Sequence, residues 1–227
     1  MIIDMATICY AWDDADFSWI CRSIENYHHH LFSEEPIFDC FTYFNEDQLL
    51  KLRLETLWDV VDYFVICESV LTHTGQSKTI NFDVNRFYKY KEKIRYLLID
   101  TYDFQSNNPW VYENYQRNYL SNGFLDAAPE DWIVISDLDE IPNPDAILKF
   151  QPDDYVRANL EQTVYKYYLN NQVIHFGKPY IWNLPKITTY RNFLRIFKTP
   201  EQIRNYKPSG FFRGLKKGYI KFRTQRI

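Results

Sequence analysis

Trp132-Ile133-Val134-Ile135-Ser136-Asp137-Leu138-Asp139-Glu140 sets the architecture expected of this chain. Ile133, Val134 and Ile135 read as a strand buried on both faces, the kind found inside a parallel sheet. The strand empties into three carboxylates, and Asn143-Pro144 follows as helix N-cap and first helical residue. Asp137, Asp139 and Glu140 are therefore expected at the carboxyl end of a central strand, where open α/β sheets bind ligands. Side chains alternate along an extended segment, so Asp137 and Asp139 project to one side. Such a pair suits a hard divalent cation, Mn²⁺ or Mg²⁺, that also holds phosphate oxygens. The competing reading is a pair of acids that cap the next helix and face water.

Outward from this stretch the same unit recurs. Ile37-Phe38-Asp39-Cys40-Phe41-Thr42-Tyr43-Phe44 has strand character. Asn45 then reads as a helix cap, with Gln48 at the reciprocal capping-box position. Leu50, Leu54, Leu57, Trp58 and Val61 recur at helical spacing. Tyr63-Phe64-Val65-Ile66-Cys67 is a second buried strand, and it runs into Glu68-Ser69 and a polar loop with His73, Gly75 and Lys78. A third strand, Ile94 to Ile99, ends at Asp100. Asn108-Pro109 opens a helix that continues through Tyr119 and stops near Gly123. A further helix is expected from Asp145 to about Phe150, and a hairpin from Thr163 to Phe176 turning at Asn170-Asn171. Strand–helix alternation of this kind predicts an α/β fold with a mostly parallel central sheet and flanking helices.

The bulk composition narrows the function classes. The chain has 227 residues, room for one domain with a full core. Its net charge of -4 argues against a nucleic-acid partner, which needs a broad basic face. Aromatic residues reach 19%, and tyrosine, an effective wall for a sugar face, is the commonest of them. Cys9, Cys21, Cys40 and Cys67 show no Cys-x-x-C spacing. Cys40 and Cys67 lie in apolar runs and read as buried free thiols. That pattern favours a reducing, cytoplasmic setting over a disulfide frame. No apolar run is long enough for a transmembrane segment, and the acidic N-terminus does not resemble a signal peptide. The His28-His29-His30 triplet reads as a solvated loop. Basic residues crowd the stretch from Lys186 onward, including Arg191, Arg195, Arg204 and Lys207. Near a diphosphate they would neutralise a leaving group; beyond Pro208 they read as a solvated tail.

Several of these segments, in order, resemble glycosyltransferase family 17. They are Ile37 to Glu46, Val65-Ile66-Cys67-Glu68-Ser69, His73-Thr74-Gly75, Asn114-Tyr115-Gln116-Arg117-Asn118 and Ser136 to Pro142. The resemblance covers roughly residues 36 to 206. It implies a GT-A fold, a UDP-sugar donor, a glycan or polysaccharide-precursor acceptor, a Mn²⁺ or Mg²⁺ ion, and inversion at the anomeric carbon. By similarity Asp137 and Asp139 hold the metal and donor diphosphate. Glu68, Ser69 and the His73, Gly75 and Lys78 loop lie near the nucleotide, and Arg117 reaches a phosphate or pairs with an acid. The domain division expected is an extension at 1–35, the transferase domain at 36–207 and a basic tail at 208–227. The base that takes the acceptor proton must be a carboxylate or histidine. Glu140, Asp100, Glu161 and His175 are the candidates, and the sequence does not choose among them. Family members continue into a Gly-Trp-His segment that Pro208-Ser209-Gly210-Phe211-Phe212-Arg213 does not match. This leaves open an inactive nucleotide- or glycan-binding relic. A metal-dependent phosphatase of the haloacid-dehalogenase type, which also carries Asp-x-Asp after a strand, is a further alternative.

Overall fold

The computed structural model describes residues 35–168, 170–206 and 224–227. The N-terminal extension with Cys9, Cys21 and the histidine triplet lies outside them, as does the basic stretch 207–223. In chain order the elements are β1 (Ile37–Thr42), α1 (Asp47–Leu57), β2 (Tyr63–Ser69), β3 (Ile94–Ile99), α2 (Pro109–Tyr119), β4 (Trp132–Ile135), α3 (Pro144–Leu148) and β5 (Arg157–Asn159). Short strands β6 (Gln162–Thr163), β7 (Ile174–His175), β8 (Lys178–Pro179) and β9 (Ile181–Trp182) follow. Then come β10 (Lys186–Thr189), α4 (Tyr190–Asn192), α5 (Pro200–Asn205) and β11 (Thr224–Arg226).

The main sheet runs β11-β5-β10-β4-β1-β2-β3. β3, β2, β1 and β4 are mutually parallel, and β10 alone runs against its neighbours. The alternation of side chains along these strands divides the core in two. Phe41, Phe64, Ile66 and Val134 point to the face covered by Leu50, Leu54 and Leu57 of α1. Cys40, Val65, Cys67, Ile133 and Ile135 point to the face covered by Leu120, Phe124, Phe193, Phe197 and Ile203. This is the α/β architecture that the sequence predicts.

Caps set where the elements start. Asn108 and Asn143 accept from the amides of Trp110 and Asp145, with proline at the first helical position of α2 and α3. The expected cap at Asn45 is displaced by one residue. Glu46 is the N-cap of α1 and makes no side-chain cap bond; its carboxylate instead accepts from the amides of Phe44 and Asn45. The expected hairpin is also rebuilt. A bridge joins Tyr165 to Gln172 around the Asn170-Asn171 turn, but β6 pairs with β9 and β7 with β8.

β1 lies between β2 and β4, and the chain leaves β1 toward β2 but reaches β4 only after β3. The carboxyl ends of β1 and β4 therefore flank a topological switch point, the crevice where such sheets take ligands.

Candidate active site

The acidic loop after β4 stands at this crevice. It is held from beneath by Arg53 of α1, whose guanidinium is fully buried. Arg53 Nη1 donates to the carbonyls of Asp137 at 2.9 Å, Leu138 at 3.2 Å and Glu140 at 3.3 Å. Nη2 donates to Ser136 Oγ at 2.5 Å, and Asp39 of β1 supplies the matching charge at 2.6 Å. One cation thus fixes the course of the backbone from Ser136 to Glu140.

Two further arginines hold the loop from the side. Arg117 of α2 reaches Asp137 Oδ1 at 3.2 Å and also binds Glu113 at 2.7 Å and Glu201 at 2.5 Å. Arg204 of α5 reaches Asp137 Oδ2 at 2.7 Å and both Glu140 oxygens, at 2.6 and 2.7 Å. Glu140 also accepts from the Asp137 amide at 2.8 Å and from the Trp182 indole. Burial alone would push the Glu140 carboxyl up, but Arg204, the amide and the indole together hold it below the usual range. Asp139 differs. It is exposed, and neither of the arginines that grip Asp137 reaches its carboxylate. Desolvation, then the neighbouring Glu140 and Asp137 carboxylates, raise its pKa.

Two clefts meet at this loop. The first, about 680 Å³, lies over the ends of β1, β2 and β4 and is lined by Tyr43, His73, Lys78, Gln116, Arg117 and the acidic pair, among others. The second, about 760 Å³, is lined by Gln162, Tyr165, His175, Tyr180 and Trp182 with Asp137, Asp139 and Glu140. Asp137 and Asp139 belong to both, so the loop is the ridge between them.

The structure sorts the expected residues. His73, Lys78, Arg117, Asp137 and Asp139 face the first cleft, and His175 and Glu140 the second. Glu68 is fully buried; it binds Lys78 at 2.5 Å, the amides of Asn81 and Phe82, and Tyr96. It therefore shapes the cleft floor without facing it. Ser69 is buried against Tyr102. Gly75 adopts φ of 77°, turning the loop so that Thr72 and Gln76 pair while Gly75 itself sits against the Tyr112 ring. Asp100 is exposed at the end of edge strand β3 and lines neither cleft. Glu161 lies 3.7 Å from Arg226 and also lines neither.

Arg53, Asp39, Trp182 and Gln116 are site-building residues to which the sequence assigns no role, and Arg204, expected among the bases near a diphosphate, instead grips Asp137 and Glu140. An acid inside an apolar strand and an arginine on the apolar face of α1, three residues after Leu50, are the signals that reveal Asp39 and Arg53.

A divalent cation fits only part of the expected pair. Both Asp137 oxygens already accept from guanidinium groups, whereas Asp139 is uncommitted. No group of three or more His, Cys, Asp or Glu side chains among the described residues is placed to enclose a metal. An ion here would take Asp139 as a protein ligand and complete its shell with water and ligand oxygens, an arrangement Mg²⁺ commonly adopts.

The sequence profile of glycosyltransferase family 17 matches residues 6–176. The chain belongs to glycosyltransferase family 17. Three relatives are the beta-1,4-mannosyl-glycoprotein 4-beta-N-acetylglucosaminyltransferases of Homo sapiens and Rattus norvegicus, each 32% identical over 113 residues, and of Mus musculus, 31% identical. The alignments cover 46% of this chain and 21% of each relative, so the chain spans about a fifth of the length of the curated relatives it matches. The family match includes Arg53, Arg117 and the acidic loop, whereas Trp182 and Arg204, which hold Glu140, lie beyond it. No helix among the described residues is long and apolar enough to cross a membrane.

Proposed function

We propose that this family 17 member is a metal-dependent, inverting glycosyltransferase with a GT-A-like domain at residues 36–207, moving a sugar from a UDP-sugar to a glycan acceptor. The names of the matched relatives suggest N-acetylglucosamine as the sugar. The observation that carries the reading is Asp139, an uncommitted carboxylate on the ridge shared by two clefts.

The first cleft suits the donor, because it lies at the switch point of the parallel strands. Among its described lining residues, Lys78 is tied to Glu68, and Arg117 to Glu113, Glu201 and Asp137. A diphosphate there meets more negative than positive charge unless it arrives with a cation. Mn²⁺ or Mg²⁺ at Asp139 would neutralise the departing UDP. Arg117 and Arg204 keep Asp137 in place, and Arg53 keeps the loop backbone rigid, so Asp139 is presented at a fixed position.

The second cleft suits the acceptor. The acceptor oxygen attacks the anomeric carbon from the side opposite the diphosphate, losing its proton to a base within hydrogen-bond reach. Glu140 is engaged at both oxygens by Arg204, and Asp100 and Glu161 line neither cleft. His175 lines the acceptor cleft and is the base this reading favours.

Titration calorimetry of UDP with and without Mn²⁺ tests the donor site. Wild type should bind UDP in a Mn²⁺-dependent manner, and Asp139→Asn should lose that dependence while keeping the wild-type fold. Equal affinities in the two proteins would reject the metal assignment. Release of free UDP from UDP-N-acetylglucosamine distinguishes a catalyst from a protein that only binds nucleotide.

A further inference from the structure

Gln162 and Trp182 stand directly opposite each other in the antiparallel ribbon of β6 and β9. Opposed residues in such a pair send their side chains to one face, with Cβ atoms about 5 Å apart. Both side chains line the second cleft beside the acidic loop.

The two residues are complementary. Trp182 is half-buried and is anchored at one edge, where its indole N–H donates to Glu140 Oε1. Arg204 in turn fixes Glu140, so the plane of the indole is set by a chain of bonds rather than by its own torsions. Gln162 has a donor to spare: its Nε2 is buried and makes no hydrogen bond among the described residues. A buried amide N–H without a partner is unfavourable, and a ligand oxygen would relieve it. The terminal torsion of glutamine is soft, so this donor can turn to the cleft without moving the strand.

We propose that Gln162 and Trp182 form an acceptor-sugar subsite, in which a neutral pyranose lies on the indole face while one of its oxygens accepts from Gln162 Nε2. The class of ligand rests on the glycosyltransferase reading above. A pyranose offers an apolar C–H face and a rim of hydroxyls. An aromatic platform beside an amide donor matches that division, as binding clefts generally combine apolar walls with a few placed polar groups. Charge narrows the choice. Asp137, Asp139 and Glu140 border the cleft, with Lys166 as the lysine among its described lining residues. A uronic or sialic acid would meet these carboxylates, so neutral sugars are favoured. Trp182 is a positioning residue here. It sets where the acceptor ring lies relative to the ridge, and it touches no reacting bond.

The test uses the full chain and a panel of neutral disaccharides: chitobiose, cellobiose and β-1,4-mannobiose. Binding is read by saturation-transfer NMR and titration, with UDP–Mn²⁺ binding measured in parallel. Wild type should bind at least one disaccharide. Trp182→Ala should weaken that binding by about tenfold or more, equivalent to about 1.4 kcal/mol. Trp182→Phe, which keeps a ring but loses the N–H that orients it, should bind more weakly than wild type but clearly better than Trp182→Ala, and Gln162→Leu should lose about threefold to tenfold. A role confined to structure would not be rescued by the ring alone. The Phe and Leu variants also keep the proposal testable if the Ala variant fails to fold. Failure of wild type to bind any of the three sugars, or unchanged binding by Trp182→Ala, overturns the subsite. Loss of wild-type UDP–Mn²⁺ binding with Trp182-dependent sugar binding intact would instead reject the donor reading and leave the subsite standing.

Discussion

Arg53 and Asp39 meet as a fork-to-fork pair, Nε to Oδ2 at 2.7 Å and Nη2 to Oδ1 at 2.6 Å, with neither side chain exposed. The guanidinium also lies over the Phe41 ring, 4.4 Å from its centre. This pair joins β1 to α1 and carries the loop that bears Asp137 and Asp139. Removing one partner leaves an uncompensated charge in the core, which typically costs about 3–5 kcal/mol. Asp39→Asn and Arg53→Met should therefore lower the urea midpoint markedly. Arg53→Lys should recover only part of the loss, because an ammonium cannot reproduce the fork. A wild-type midpoint for Arg53→Lys would refute the bracing role.

Asp137 and Asp139 should behave oppositely although they are two residues apart. Asp137→Asn leaves Arg117 and Arg204 facing a neutral amide, and should destabilise by about 1–2 kcal/mol after allowance for its partial exposure. The Asp139 carboxyl has a raised pKa, so its charged form is disfavoured in the fold. That penalty is present above the folded pKa and relieved as pH falls through it. Metal-free Asp139→Asn should melt at or above the wild-type temperature at pH 7. A clear drop in melting temperature would contradict this assignment of the two roles.

Gly123 lies in the helical turn after α2, where a Cβ would overlap Val65 Cγ1 of β2. Gly123→Ala should cost about 1–3 kcal/mol by overpacking. Combining it with Val65→Ala should be less damaging than the sum of the single changes, because the second removes the atoms that the first collides with. Additive losses in denaturant titrations would argue against direct contact.

Lys186 is buried on β10, and burial, followed by repulsion from Arg157 and Arg204, lowers its pKa to about 7, against the pull of Glu140 and Glu161. The unfolded chain holds that proton up to the ordinary lysine range, so from about pH 7 to about pH 10 the unfolded state binds more protons and this lysine's contribution to stability rises with pH. Lys186→Met should accordingly gain most over wild type near pH 6 and least near pH 9. Thermal melts of both proteins across that range check the sign; a gain that grows with pH would be the wrong sign.

Cys40 and Cys67 are buried free thiols, and burial raises both pKa values. Neither should react with iodoacetamide in the native protein at pH 8. After denaturation without reductant, intact mass should show all four cysteines modified. Fewer modified thiols, restored by reductant, would indicate a disulfide involving Cys9 or Cys21.

The strand ends were readable because each is a short apolar run followed by polar residues, and the starts of α2 and α3 because Asn-Pro is a local cap. Cap placement at α1 was missed: Glu46 competes with Asn45 for the same turn, and one residue decides which amides it meets. The later strands were harder. β6 to β9 carry two residues each, too few for a period to show, and the residues of β6 meet partners 18 and 20 positions away. Glu68 illustrates a further limit. It stands at a strand end like Asp137, but loop residues fold back over it and turn it into a buried tie.

Sequence alone determined β1 to β4 with α1 to α3, the acidic loop at a strand tip and the family, because these follow from local periodicity, capping chemistry and ordered motifs. Only the tertiary structure decided which charges remain uncommitted. Asp137 and Asp139 are alike in the sequence. They differ because Arg117 and Arg204, brought from α2 and α5 by packing on one sheet face, both reach Asp137 and neither reaches Asp139. Coulomb and hydrogen-bond energies depend on distances of a few ångströms, and such distances between remote residues exist only once the chain has folded.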